Sequence, residues 1–187
     1  MECNALKLPS WPSCHLGQLY IPNETGGIGS KVTLKPEGTA TYKSSNSKIA
    51  SVNSKGEVRF KQFGKATITV NAKGNSNYES ATKKITVEVI PKKVTVRSLK
   101  STKSKTAVLK WKRDKKVTGY KVQYAANNKF KGAKTISVKK NSTVSAKLKK
   151  LKGGKKYYVR IRSYKKVNKK TTVYSDWSKV KTVKVKK

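Results

Sequence analysis

Apolar residues along most of this chain recur at every second position, and the repeat is punctuated by glycine, proline and Ser-Asn clusters. In Gly64-Lys65-Ala66-Thr67-Ile68-Thr69-Val70 the residues Ala66, Ile68 and Val70 share one side, and Ile85, Val87 and Val89 repeat that phase. Side chains alternate faces along an extended backbone, so such runs predict strands with one buried and one wet face. The alternation begins at Lys31, and Val32 and Leu34 are expected to pair with a strand around Ala40 and Tyr42. It resumes beyond Pro91 with Val94 and Val96, then Ala107, Leu109 and Trp111, then Tyr120, Val122 and Tyr124. Ile136 with Val138, and Val144, Ala146 and Leu148, supply two more strands, and Val183 with Val185 the last. Val180 is out of phase with that pair, which predicts a bulge near Lys181. No helical period competes, and seven short strands separated by turn signals predict a sandwich over the second half.

One stretch organises that half: Leu151-Lys152-Gly153-Gly154-Lys155-Lys156-Tyr157-Tyr158-Val159-Arg160-Ile161-Arg162. A leucine, a glycine turn and a tyrosine opening an alternating strand form the pattern of a tyrosine corner. Tyr157, Val159 and Ile161 fall on one face, Tyr158, Arg160 and Arg162 on the wetter one, and the Tyr157 hydroxyl is expected to donate to backbone between Leu151 and Gly154. Together with Trp111 on the second strand and Gly119-Tyr120-Lys121-Val122 on the third, this resembles the fibronectin type III module. The resemblance implies a core of Trp111, Tyr120, Val122, Leu151, Tyr157, Val159 and Ile161. The earlier half, with Ser44-Ser45-Asn46, Ile49-Ala50-Ser51-Val52, Lys55-Gly56-Glu57-Val58 and the strand from Gly64, resembles the bacterial immunoglobulin-like group 2 domain. That family's first strand should precede Val32, and the sequence there looks unlike one. The expected architecture is therefore all-β: two consecutive immunoglobulin-like β-sandwiches, the first lacking its first strand. Residues 1–30 form an irregular leader, 31–90 the first sandwich, 91–93 a hinge (Pro91-Lys92-Lys93), and 94–187 the second.

Charge changes the picture more than length does. The 187 residues hold 46 Lys and Arg against 8 Asp and Glu, a net +38. Residues 1–30 carry −1, 31–91 carry +7, and 92–187 carry +32, with Asp114 and Asp176 the only acids in that last part. Lys165, Lys166, Lys169 and Lys170, interleaved with Tyr158, Tyr164 and Trp177, form a candidate polyanion contact. Lysine at alternate strand positions also keeps sheets soluble and blunts edges. The even spread fits that second reading, and base recognition usually employs arginine, of which the chain has five. Nucleic acid is accordingly disfavoured as the partner.

The search for chemistry is short. Cys3, Cys14 and His15 offer no second ligand pair at zinc spacing, so no metal is expected. His15 has no acid partner for nucleophilic catalysis, Gly26-Gly27-Ile28-Gly29 lacks the Lys-Ser/Thr of a phosphate loop, and the acids are scattered. No enzyme and no cofactor are expected. No run of 18 apolar residues would insert in a membrane, and Met1 to Leu19 lacks the basic start and apolar stretch of a signal peptide. The family resemblance implies a non-catalytic, monomeric spacer or adhesion segment of a larger bacterial cell-surface or secreted protein, of which this chain is a fragment. Its partners would be cell-wall or host-surface polymers or proteins. The alternatives are a polyanion-binding module (teichoic acid, glycosaminoglycan or nucleic acid) and an accessory domain of a wall or polysaccharide hydrolase.

Overall fold

A computed structural model describes residues 25–34, 39–74 and 79–187. Within them the regular structure is all β, in two compact units that divide between Val89 and Ile90. Cys3, Trp11, Cys14, His15 and Tyr20 lie outside the described residues.

The first unit is built on a long hairpin. Strands β6 (Gly64–Ala72) and β7 (Ala81–Val89) pair from Gly64 opposite Val89 to Ala72 opposite Ala81. Their Thr, Val and Ile content suits a half-buried pleat, and Ala66, Ile68, Val70, Ile85 and Val87 are buried on one face. Strand β3 (Ala40–Ser44) borders β6, and β1 (Thr25–Gly26) runs parallel to β7, Thr25 beside Glu88 and Gly26 beside Val89. A second sheet of β2 (Lys31–Thr33), β5 (Glu57–Phe60) and β4 (Ala50–Val52), with β5 central, carries Val58, Phe60 and Ala50 into the same core.

Two expectations are corrected here. A strand does precede Val32: β1 covers the edge of β7, so the first sandwich is not missing its opening strand. It escaped the pattern because it is two residues long and contains Gly26, where a Cβ would collide with the Phe60 ring. Val32 and Leu34 do not pair with the Ala40–Tyr42 strand either. Val32 pairs with Val58, the Leu34 amide donates to the Gly56 carbonyl, and β3 belongs to the other sheet.

The second unit has eight strands. β8 (Val96–Lys100), β9 (Ala107–Trp111) and β12 (Ser145–Leu148) form one sheet with β9 in the middle. The other contains β11 (Lys134–Val138), β10 (Gly119–Ala125) and β13 (Lys156–Lys166), with β14 (Thr172–Tyr174) and β15 (Lys181–Lys184) both paired to the far side of β13. Trp111, Tyr120, Val122, Leu151, Val159 and Ile161 lie between the sheets, none more than 3% exposed, and Tyr157 packs half-buried against them. The Trp111 and Tyr120 rings meet edge to face at 5.2 Å. The Tyr157 hydroxyl accepts a hydrogen bond from the Lys152 amide at 3.1 Å rather than donating one, because the turn through Gly153 and Gly154 presents an N–H to it. The irregular pairing sits between Val96 and Ser98 and not near Lys181; Val180 simply lies outside β15, exposed. Of the expected hinge, Lys92 offers its carbonyl to the Ser163 hydroxyl (3.5 Å) and Lys93 its ammonium to Asp176 (3.9 Å), both within the second unit.

Candidate functional site

The most built surface of the second unit is the outer face of β13. Side chains at alternate positions stand about 7 Å apart along a strand, and Arg160 and Arg162 occupy two such positions. The Trp177 ring receives both guanidinium groups, at 4.5 and 4.4 Å from its centroid, and therefore sits between them. Arg160 also lies over Phe130 at 4.0 Å and Arg162 over Tyr174 at 4.2 Å, with Lys121 reaching the Tyr174 ring at 5.1 Å. The result is one stack of alternating rings and cations, Phe130–Arg160–Trp177–Arg162–Tyr174–Lys121. Each cation–ring pair contributes about 0.5–1 kcal/mol when exposed and about 2 when desolvated. Arg160 Nε is pinned further by Gln123 Oε1 at 2.7 Å, while Arg162 Nε is buried without a hydrogen-bond partner. Burial, and after it the charge of Arg162, pushes the Arg160 guanidinium below its usual range.

Two serines lift Trp177 into this stack. Ser175 and Ser178 each accept, through the hydroxyl, the amide of a β13 residue: Ser163 at 3.0 Å and Ile161 at 3.1 Å. Their own amides donate to the carbonyls of the same two residues. Each serine thus replaces a strand partner by its side chain, and Asp176 and Trp177 between them stand clear of the sheet. At the other end of the stack, Phe130 is buried in a left-handed backbone (φ 55°). The Asn127 side chain holds that turn, bonding both the amide and the carbonyl of Lys131. The sequence signal for the stack was Arg-x-Arg on an outward face with no carboxylate opposite; the parts played by Phe130 and Tyr174 had no such signal.

Lys165 and Lys166 end β13, and Lys169 and Lys170 follow in the turn to β14, so the four do share one hairpin tip. The aromatic residues expected to interleave with them are otherwise engaged. Tyr164 is buried against Gly119 and the Tyr174 ring, Trp177 is sandwiched, and Tyr158 lies under the Lys156 ammonium at 5.5 Å. Tyr164 and Trp177 therefore have their rings occupied by neighbours within the unit. Asp114 caps its own turn through the Lys116 amide, Asp176 faces Lys93, Glu57 accepts from Asn53, and Glu88 lies 3.6 Å from Lys65. Exposed pairs of this kind contribute little to stability. Among the described residues no three His, Cys, Asp or Glu side chains come close enough to hold a metal ion. No helix among them is long and apolar enough to cross a membrane. Asn141, which the sequence did not single out, organises the turn after β9. Its side chain donates to the carbonyls of Lys115 and Val117 and accepts from Arg113, while its carbonyl receives the Tyr120 hydroxyl.

Comparisons with known proteins agree with this architecture. Residues 30–82 match the family of bacterial Ig-like domains (group 2), and residues 89–180 match the fibronectin type III domain family. No curated protein matches the chain. Among solved structures, a two-domain fibronectin type III segment from chicken tenascin is similar, at 17% identity and a TM-score of 0.51, over 85% of this chain and 94% of that one. The FN1–FN3 domains of chicken CNTN1 align at 20% identity and a TM-score of 0.46; 87% of this chain is covered, and it spans 65% of that segment's length. At such identities the likeness concerns the fold. The chain is a bacterial Ig-like group 2 domain followed by a fibronectin type III domain, two families typical of modular surface and adhesion proteins.

Proposed function

We propose that this chain is a non-catalytic spacer or adhesion segment of a larger bacterial cell-surface or secreted protein, with the division between its two domains at Val89 and Ile90. The observation that carries the reading is that each unit closes a core of its own, while the residues around its best-built surface are occupied with one another. Arg160, Arg162, Trp177 and Tyr174 spend their faces on the stack and stiffen one sheet, which suits a part that holds other domains at a distance. Asp114 caps a turn, Glu57 accepts from Asn53, and Glu88 and Asp176 lie beside lysines, so these four carboxylates are not gathered as acid–base chemistry would require. In cells that produce the protein, an antibody against this chain should bind intact cells or the medium, and protease added outside should remove the cell-bound signal. A signal confined to the cytosol and protected from that protease would refute the reading.

A further inference from the structure

One end of the second unit is closed by lysines on three segments that the backbone ties together. The Lys105 amide donates to the Lys186 carbonyl (3.3 Å), Leu151 to Lys105 (3.0 Å), Gly154 to Val185 (2.8 Å) and Val185 to Lys155 (3.0 Å). The turn after β8, the turn before β13 and the residues after β15 therefore meet. Lys105, Lys150, Lys152, Lys155, Lys156 and Lys184 are all exposed there. Lys156 and Lys184 stand directly opposite each other across β13 and β15, a placement in which like charges repel. Lys105 and Lys150 hold left-handed backbones, φ 53° and 56°, that glycine would adopt without strain. Neither acid of this unit is nearby to offset them: Asp114 sits in the turn bonded to Tyr120, and Asp176 beside Lys93.

We propose that this end of the fibronectin type III unit binds a flexible chain of phosphates that carries no bases, one phosphate bridging Lys156 and Lys184. An anion placed there converts the repulsion of that pair into attraction. The lysines come from three separate segments joined at the backbone, so a flexible chain can turn from one to the next. Lysine binds phosphate as a point charge and needs no fixed plane, and no arginine is present among these three turns. Tyr157 packs on the core, and the Lys156 ammonium lies over the Tyr158 ring. This site goes beyond the spacer role and differs from the hairpin tip at Lys165–Lys170.

The test titrates the full 187-residue chain with inorganic polyphosphate, poly(glycerol phosphate), heparin and oligo(dT) over a range of salt. One variant carries Lys152→Gln, Lys155→Gln and Lys184→Gln; a second, of equal net charge, carries Lys166→Gln, Lys169→Gln and Lys170→Gln. At physiological salt the first should bind phosphate chains at least about tenfold more weakly, with a log–log salt slope shallower by about two, and the second less than about threefold more weakly. Tighter binding of either phosphate chain than of heparin and oligo(dT) supports the proposal, and the preferred chain tells an inorganic source from a polymeric diester. Equal losses from the two variants, or tighter binding of heparin or oligo(dT), overturn it. A second readout is independent of the triple variants. Lys184→Gln alone should raise the melting temperature of the polymer-free protein and shrink the rise that polyphosphate produces; no change in either quantity also counts against the bridge.

Discussion

Trp111 and Tyr157 show how differently two aromatic residues of one core are held. Trp111 is enclosed between the sheets with its ring on Tyr120, and its Nε1 has no partner, so what anchors it is packing. Tyr157 contributes a half-buried ring and accepts one hydrogen bond from an exposed amide, which water could replace. Trp111→Ala should therefore cost about 3–5 kcal/mol, and Tyr157→Phe only about 0.5–1.5. Urea unfolding of the two variants measures both, and a larger loss from Tyr157→Phe would remove the structural role given to the corner. These positions were legible in sequence because alternation alone sends Val159 and Ile161 inward and a tyrosine before them toward the turn. The direction of the hydroxyl's bond was not, since it depends on which backbone group the Gly153–Gly154 turn presents.

Strand β13 is the element on which the second unit depends, because it pairs with β10 on one side and with both β14 and β15 on the other. Between those last two strands only Ser175 and Ser178 keep its edge satisfied. Ser178→Ala would strip the buried Ile161 amide of its acceptor and should cost about 1–3 kcal/mol. The stack adds a term that a double-mutant cycle can isolate: Arg160→Ala and Trp177→Ala should couple by about 0.5–2 kcal/mol. Coupling indistinguishable from zero would mean that the rings and cations merely lie close. The sequence reading placed Arg160 and Arg162 on the wetter face, and they do point away from the core. What it could not supply was the company they keep, since Tyr174 comes from β14, while Phe130 and Trp177 come from loops held by Asn127 and by the two serines. The same distinction explains β1 and β2: β1, two residues long, has too few alternations to register as a period, and β2 was legible as a strand but its partner β5 is fixed by distant pairing.

At the scale of the whole chain, each unit should unfold as its own transition. A piece spanning residues 90–187 should melt cooperatively and at the temperature of the corresponding transition in the full protein. A chain beginning at Lys31 should lose stability in its first unit relative to one beginning at Thr25, since β1 and the fit of Gly26 against Phe60 go with residues 25–30. Calorimetry decides both points: a single shared transition would argue against independent units, and identical first transitions would argue against the contribution of β1. The direction of β1 has a mechanical consequence. It runs parallel to β7, so among the described residues the first strand and the last strand of the first unit lie side by side pointing the same way. Tension applied through the two ends pulls such neighbours in opposite directions along their length. Their hydrogen bonds are then loaded together in shear, whereas an antiparallel pair pulled from one end opens bond by bond. The second unit ends on β15, antiparallel to β13, and β15 has no strand pairing with β8, where that unit opens. Under a pulling force the two sandwiches would therefore yield by different routes, with the short clamp at Thr25–Gly26 setting the resistance of the first.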